Sequence, residues 1–204
     1  MKIGCLAIKV PAVLVPVIAA LAVCTSLSIA HGQTRHSPPY VNAERKFQWI
    51  AQNGHSPHPS THPTVIFARE WNAFLNEGGV TLPDGVSNVH LTSQPAVIHG
   101  DAEVDFDRLT AGRTRSNPLL SLFTGRHHVT VIAQAAAANG VGNVRVESVA
   151  FDGVEVPRFA LEYFSNRYLR PRYGNAVSMD STFHLHSRID TAILGTDQVT
   201  VTQR

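Results

Sequence analysis

Apolar and polar residues alternate strictly from Ala96 to Asp107. Ala96, Ile98, Gly100, Ala102, Val104 and Phe106 fall on one side, with His99, Asp101, Glu103, Asp105 and Asp107 on the other. A helix would scatter these apolar groups around its circumference, so the pattern predicts a strand with one buried face. Residues 127–138 and 143–151 read as two further strands, joined through Asn139-Gly140-Val141-Gly142 in a hairpin. Shorter strand signals cover 64–67, 86–92, 181–189, 191–194 and 198–202, punctuated by Asp84-Gly85, Asp152-Gly153 and Gly195-Thr196-Asp197.

Two segments switch to helical period. Residues 68–77 line up Trp71, Phe74 and Leu75 and stop at Gly78-Gly79. Residues 158–170 follow Pro157, place Phe159 or Ala160 with Leu161, Phe164 and Tyr168 on one stripe, and end at Pro171. Hairpin spacings imply antiparallel pairing, so the expected fold is a single α+β domain over 64–204, a sheet of about six strands on two helices. Residues 31–63 read as a His/Pro-rich linker. It holds a short helix over 42–52, with Asn42 as N-cap and Ala43, Phe47, Ile50 and Ala51 on one side. Pro57, Pro59 and Pro63 then enforce extended backbone up to Thr64.

The first thirty residues differ from the rest. Lys2 and Lys9 precede a run of Val, Ala, Leu and Ile that ends on small residues, which predicts a secretory signal peptide and an exported chain of the periplasm or cell envelope. The rival reading is an uncleaved membrane anchor. Leu21-Ala22-Val23-Cys24 also resembles a lipobox, although Val23 fits poorly where a small residue is usual. Cleavage would remove both cysteines, Cys5 and Cys24, so the exported domain must stand on its core without disulfides.

Composition narrows function by exclusion. Of 204 residues, 44% are hydrophobic and 16% charged, which permits a buried core. The formal net charge is +2, and the 17 Lys and Arg less Lys2 and Lys9 leave 15 against 15 acids, so no basic field suits nucleic acid. Zinc-protease, nucleophile-elbow and phosphate-loop signatures are absent, and no catalytic residue, metal or cofactor is expected. The row Asp101, Glu103, Asp105, Asp107 is too extended to converge on one cation and reads as a solvated strand face. His127-His128 and the pair His184 and His186 lack a visible third ligand. Arg158, Arg167, Arg170 and Arg172 suit the dipole of the second helix, or an anionic headgroup.

Phe67 followed by Glu70-Trp71-Asn72-Ala73-Phe74-Leu75 resembles the E-x-N-x-x-L helix of small bacterial exported proteins, YceB-like lipoproteins and their relatives. Val149 to Pro157 and the closing strand pair resemble later segments of the same proteins, whose fold is similar to the tubular lipid-binding (TULIP) modules. The resemblance implies a TULIP-like, strongly curved antiparallel sheet wrapped about a helix, with an apolar groove between them. Ligand-binding walls would then come from Ile98, Ala102, Val104, Phe106, Val131, Ala133, Val146, Phe159, Leu161, Phe164 and Tyr168, with Arg167 and Arg170 at the mouth. The same positions would equally fill a dry core. Two functions follow: a non-enzymatic carrier or sensor of a hydrophobic molecule or lipid, or an interaction module offering its surface to an envelope protein or membrane.

Overall fold

The computed structural model describes residues 36–110, 122–173 and 178–204. The expected signal peptide, with its alternative readings as an anchor or a lipobox, lies outside them. The fold is α+β, a large open antiparallel sheet with few helices.

Ser37 caps helix α1, Pro38–His55, by accepting from the Tyr40 amide at 3.3 Å, and Pro38 and Pro39 occupy its first positions. A proline there gives up a donor that has no partner anyway. The helix is longer than the 42–52 expected, and it is not part of a linker. Tyr40, Ala43, Phe47 and Ile50 recur at helical spacing and are buried, so the packed body reaches back to α1 instead of starting at Thr64. The proline run behind it is short and pinned. Asn53 donates to the Ser60 carbonyl at 2.8 Å and accepts from the Ser60 amide at 2.7 Å, while Gln203 receives its other amide proton at 2.9 Å.

Strand β1, Thr64–Phe67, pairs with the last strand and leads directly into helix α2, Ala68–Asn76. Glu70 explains the junction. Its carboxylate accepts the Phe67 amide at 2.9 Å and both short contacts of Lys46, 2.6 and 2.8 Å, from α1. Strands β2, Val86–Gln94, and β3, Val97–Asp105, form a hairpin that continues through β4, Arg126–Ala138, and β5, Val141–Phe151. Asn139 and Gly140 both have positive φ, 54° and 76°, so the turn is two residues long and β5 starts at Val141. Strand β6, Val154–Glu155, and β7, Asp180–His184, add to the far edge of β5. Strands β8, Ile189–Gly195, and β9, Gln198–Gln203, close the order β1-β9-β8-β4-β3-β2. The sheet thus has nine strands instead of about six: each short strand signal of the sequence pairs into it, and the two-residue β6, which carries no such signal, adds one more.

β2 is an edge strand whose open backbone groups would invite foreign pairing. Helix α2 occupies them. Asn72 exchanges two hydrogen bonds with the Leu91 amide and carbonyl, 2.8 and 2.9 Å, and Asn76 repeats the pattern at Val89, 3.0 and 2.6 Å. Spaced four residues apart, the two amides lie on one helix face and stand in for a neighbouring strand.

Two apolar clusters fill the inner side of the sheet. One lies under α1 and α2 and includes Phe47, Trp71, Leu91, Ile98, Ala133 and Ala135. The other lies under the helical stretch from helix α4, Arg158–Phe164, through a π-helical turn, Ser165–Leu169, to α5, Arg170–Tyr173. Pro171 does not end the helix. It lies inside the last turn of an unbroken helical run, directly after the π-helical segment.

Candidate functional site

The anticipated groove residues divide between the two clusters. Val104, Phe106, Val146, Leu161 and Phe164 are buried in the aromatic cluster, whereas Ile98 and Ala133 are buried in the other. The residues expected to line one groove thus belong to two separate clusters. Phe164 stacks flat on Phe123, centroids 4.1 Å apart and planes 4° apart, and Phe106 meets both rings edge-on at 5.7 and 5.6 Å. Phe151 completes the set, 5.0 Å from Phe106. Offset and edge-on ring pairs of this kind add attraction beyond the area they bury, so this half of the helix–sheet interface is filled.

Two details of the chain shaped that outcome. Asp105 turns its side chain onto the Arg108 amide at 3.0 Å and starts a one-turn helix α3, Phe106–Leu109, so the strand stops before Phe106 and the ring swings into the cluster. The π turn widens the second helix by one residue, and the inward position after Phe164 becomes Leu169. Tyr168 is left half-buried at the rim, 5.7 Å from Phe164. Phe159 is not a wall: it is 75% exposed on the outer face of α4. Arg167 and Arg170 are exposed as well, and Arg170 donates to Asn166 at 2.9 Å.

What remains of the anticipated groove is the seam between the clusters. Ala102 and Val86 pack against both, Val131 against the aromatic one, and all three are only half-buried although they belong to the sheet's inner side. Gly100, one inward position along from Ala102, is covered by Leu91: a Cβ there would come within 2.9 Å of the Leu91 Cδ2. Apolar, small and incompletely covered, the seam can take up an alkyl group without displacing a polar contact.

His128, Asp101 and Glu103 share the outer side of the sheet, whereas His127 borders the inner aromatic cluster, its ring 5.7 Å from Phe151 and 6.0 Å from Phe106. His127 places Nδ1 2.6 Å from Asp152 Oδ2 and Nε2 2.9 Å from the Thr124 carbonyl. Both ring nitrogens thus face oxygen acceptors, which leaves neither aimed at a hydroxyl nucleophile. The His127 contact, with the His128 amide donating as well, holds the Asp152 carboxyl below the usual carboxylate range. The His128 ring lies 3.4 Å from both Asp101 and Glu103, and Thr130 donates to Asp101 at 3.1 Å. Asp101 and Glu103 are therefore engaged by β4, while Asp105 caps the one-turn helix α3. Among the described residues, no three His, Cys, Asp or Glu side chains are grouped so as to hold a metal ion. A separate hollow of about 350 Å³, bordered by Gln134, Ala136, Asn143, Arg145, Asp180 and Thr182, is lined by none of the wall residues named from the sequence.

Sequence reasoning missed Phe123, Phe151 and Val86. Phe123 and Phe151 were legible as apolar, but nothing in their spacing says which helix they meet. Among the described residues, no helix is long and apolar enough to cross a membrane. In comparisons with protein families, curated proteins and solved structures, nothing matches this chain.

Proposed function

We propose that this chain is a non-enzymatic, exported binding protein for a hydrophobic ligand of the lipid class, held along the seam and not threaded between helix and sheet. One observation supports the reading above the others. The inner side of the sheet is covered by helices at both ends, yet Ala102, Val131 and Val86 between them stay half-buried. Each methylene laid there contributes about 0.8 kcal/mol, so roughly eight would outweigh part of the ordering costs and give measurable affinity. The TULIP-like likeness belongs to the same proposal, with the acyl site shifted from an enclosed tunnel to a surface track.

Native mass spectrometry of gently purified protein, together with melting curves in added phospholipid or fatty acid, tests this. Bound lipid or a raised melting temperature, lost in Ala102→Leu, is the expected result. A ligand-free protein whose melting temperature no lipid raises would overturn it. The second reading, an interaction module with a dry core, is favoured by the ring packing around Phe123 and by the ordered acid–histidine surface. It predicts that charge reversal at Asp101 and Glu103 abolishes partner capture.

A further inference from the structure

Four of the most exposed large apolar side chains belong to one end of the molecule. Val154 is 70% exposed, Phe159 75%, Leu122 51% and Tyr163 45%. Each is tied to the aromatic cluster. Leu122 adjoins Phe123, Val154 pairs in register with Phe151, and Phe159 and Tyr163 sit on α4, whose inner side contributes Ala160, Leu161 and Phe164. Their rings and methyls are thus the outward counterpart of a rigid, packed support.

The charges between them are unevenly satisfied. On the exposed face of the helical stretch, Arg158 is committed to Glu162 and Asp180, at 2.9 and 2.7 Å. Arg167 and Arg170, one and two turns beyond Tyr163, form no ion pair among the described residues. Glu155, beside Val154, and Asp152, engaged by His127, are acids at the same end, while Glu162 and Asp180 are taken up by Arg158. Apolar side chains interrupted by polar ones, with unpaired guanidinium groups next to them, match the boundary between lipid headgroups and acyl chains. There the rings sit among the upper methylenes while guanidinium forks grip phosphate oxygens and stay hydrated. In a protein–protein interface the same arginines would be stripped of water with no carboxylate supplied by this chain.

We infer that the face carrying Val154, Phe159, Tyr163, Arg167 and Arg170 docks the protein onto an anionic bilayer surface. The face lies outside the helix and the seam inside the sheet, so the inference stands whether or not the seam holds lipid. Residue-resolved oxidative footprinting of the full chain tests it, with vesicles of phosphatidylglycerol mixed into phosphatidylcholine against pure phosphatidylcholine. Labelling of Phe159 and Tyr163 falls several-fold with the anionic vesicles alone, and the effect weakens at high salt. Arg167→Glu/Arg170→Glu restores labelling, because each arginine contributes roughly fivefold to binding at an anionic surface. Reading single residues keeps attachment through the apolar N-terminal stretch from counting as docking. Phe159→Ser/Tyr163→Ser, both exposed and therefore compatible with the fold, lowers vesicle retention at an unchanged melting temperature. Labelling that is unaltered by anionic vesicles, or that falls equally with neutral ones or in the double arginine variant, overturns the inference. Protection that appears only with an added envelope protein overturns it in favour of a protein partner.

Discussion

Replacing Lys46 by methionine removes one charge and little else, because the stem keeps its length. The charge it leaves behind is Glu70, only 3% exposed, which holds the Lys46 ammonium through both carboxylate oxygens while also capping α2 through the Phe67 amide. Breaking a buried pair from one side costs about 3–5 kcal/mol when the survivor is sealed from water. Here the lysine side is 28% exposed, so water can partly replace it, and the loss falls to about 2–3 kcal/mol. The ammonium also lies 5.0 Å from the centre of the Phe67 ring, a contact that adds a few tenths of a kcal/mol at most at such a site.

For a domain of this size, that loss lowers the melting temperature by roughly 5–10 °C, measurable by circular dichroism or calorimetry. Glu70→Gln keeps an acceptor for the Phe67 amide and leaves a lysine that can turn to solvent, so it should cost only about 1–2 kcal/mol. The decisive quantity is the double variant. If Lys46 acts through Glu70, the pair of changes destabilises by hardly more than Glu70→Gln alone, and the coupling exceeds about 1 kcal/mol. Losses that simply add, or a Lys46→Met variant as stable as the parent, would refute the assignment of this ion pair as the tie between α1 and α2.

Other outcomes follow from the same geometry. Asn72→Leu or Asn76→Leu strips partners from the β2 backbone at Leu91 or Val89 and should cost about 1–3 kcal/mol each; the double variant should also self-associate through its bared edge in light scattering. The Glu77 carboxyl is held below the usual range chiefly by the Ser37 hydroxyl, then by the Ser37 amide. A depressed folded-state pKa gives stability that is present above the ordinary glutamate value of about 4.3 and lost as pH falls below it. Glu77→Gln should therefore lower the melting temperature at neutral pH and flatten the acid limb, so that the two profiles converge in acid; a gap that widens as pH falls would contradict the Ser37–Glu77 latch.

Much of the framework could be read from alternation and punctuation. The strand over 97–105, the hairpin at Asn139-Gly140 and helix α2 appear within a few residues of their expected limits, because each carries both a period and a stop signal. Helix α1 was undervalued for a physical reason. Three prolines downstream dominated the reading of 31–63, while Ser37-Pro38-Pro39 was itself an N-terminal signal, a capping hydroxyl followed by two prolines. The site was less legible than the fold. Periodicity assigns a residue to the inner side but not to a partner, so Ile98 and Phe164 look like two walls of one groove when they belong to separate clusters, Phe164 packed on Phe106 and Phe123. Nor does any spacing announce a π turn: five residues separate Phe164 from Leu169, and the regular period selects Tyr168 instead.

The seam can also be judged without any ligand. Ala102 lies on the inner side of β3 between Gly100 and Val104, both buried, in register with buried Val129, yet is itself half-buried. If side chains already close the seam to native density, Ala102→Leu inserts three carbons into filled space and costs about 1–3 kcal/mol. If the seam is open, the added carbons enter a surface track from which water is expelled, and stability holds or rises by up to about 2 kcal/mol. The sign of the change therefore separates an unfilled apolar track from a dry core. Combined with lipid binding, it separates two failures as well: a seam that is open but takes no lipid, and a seam that was never open at all.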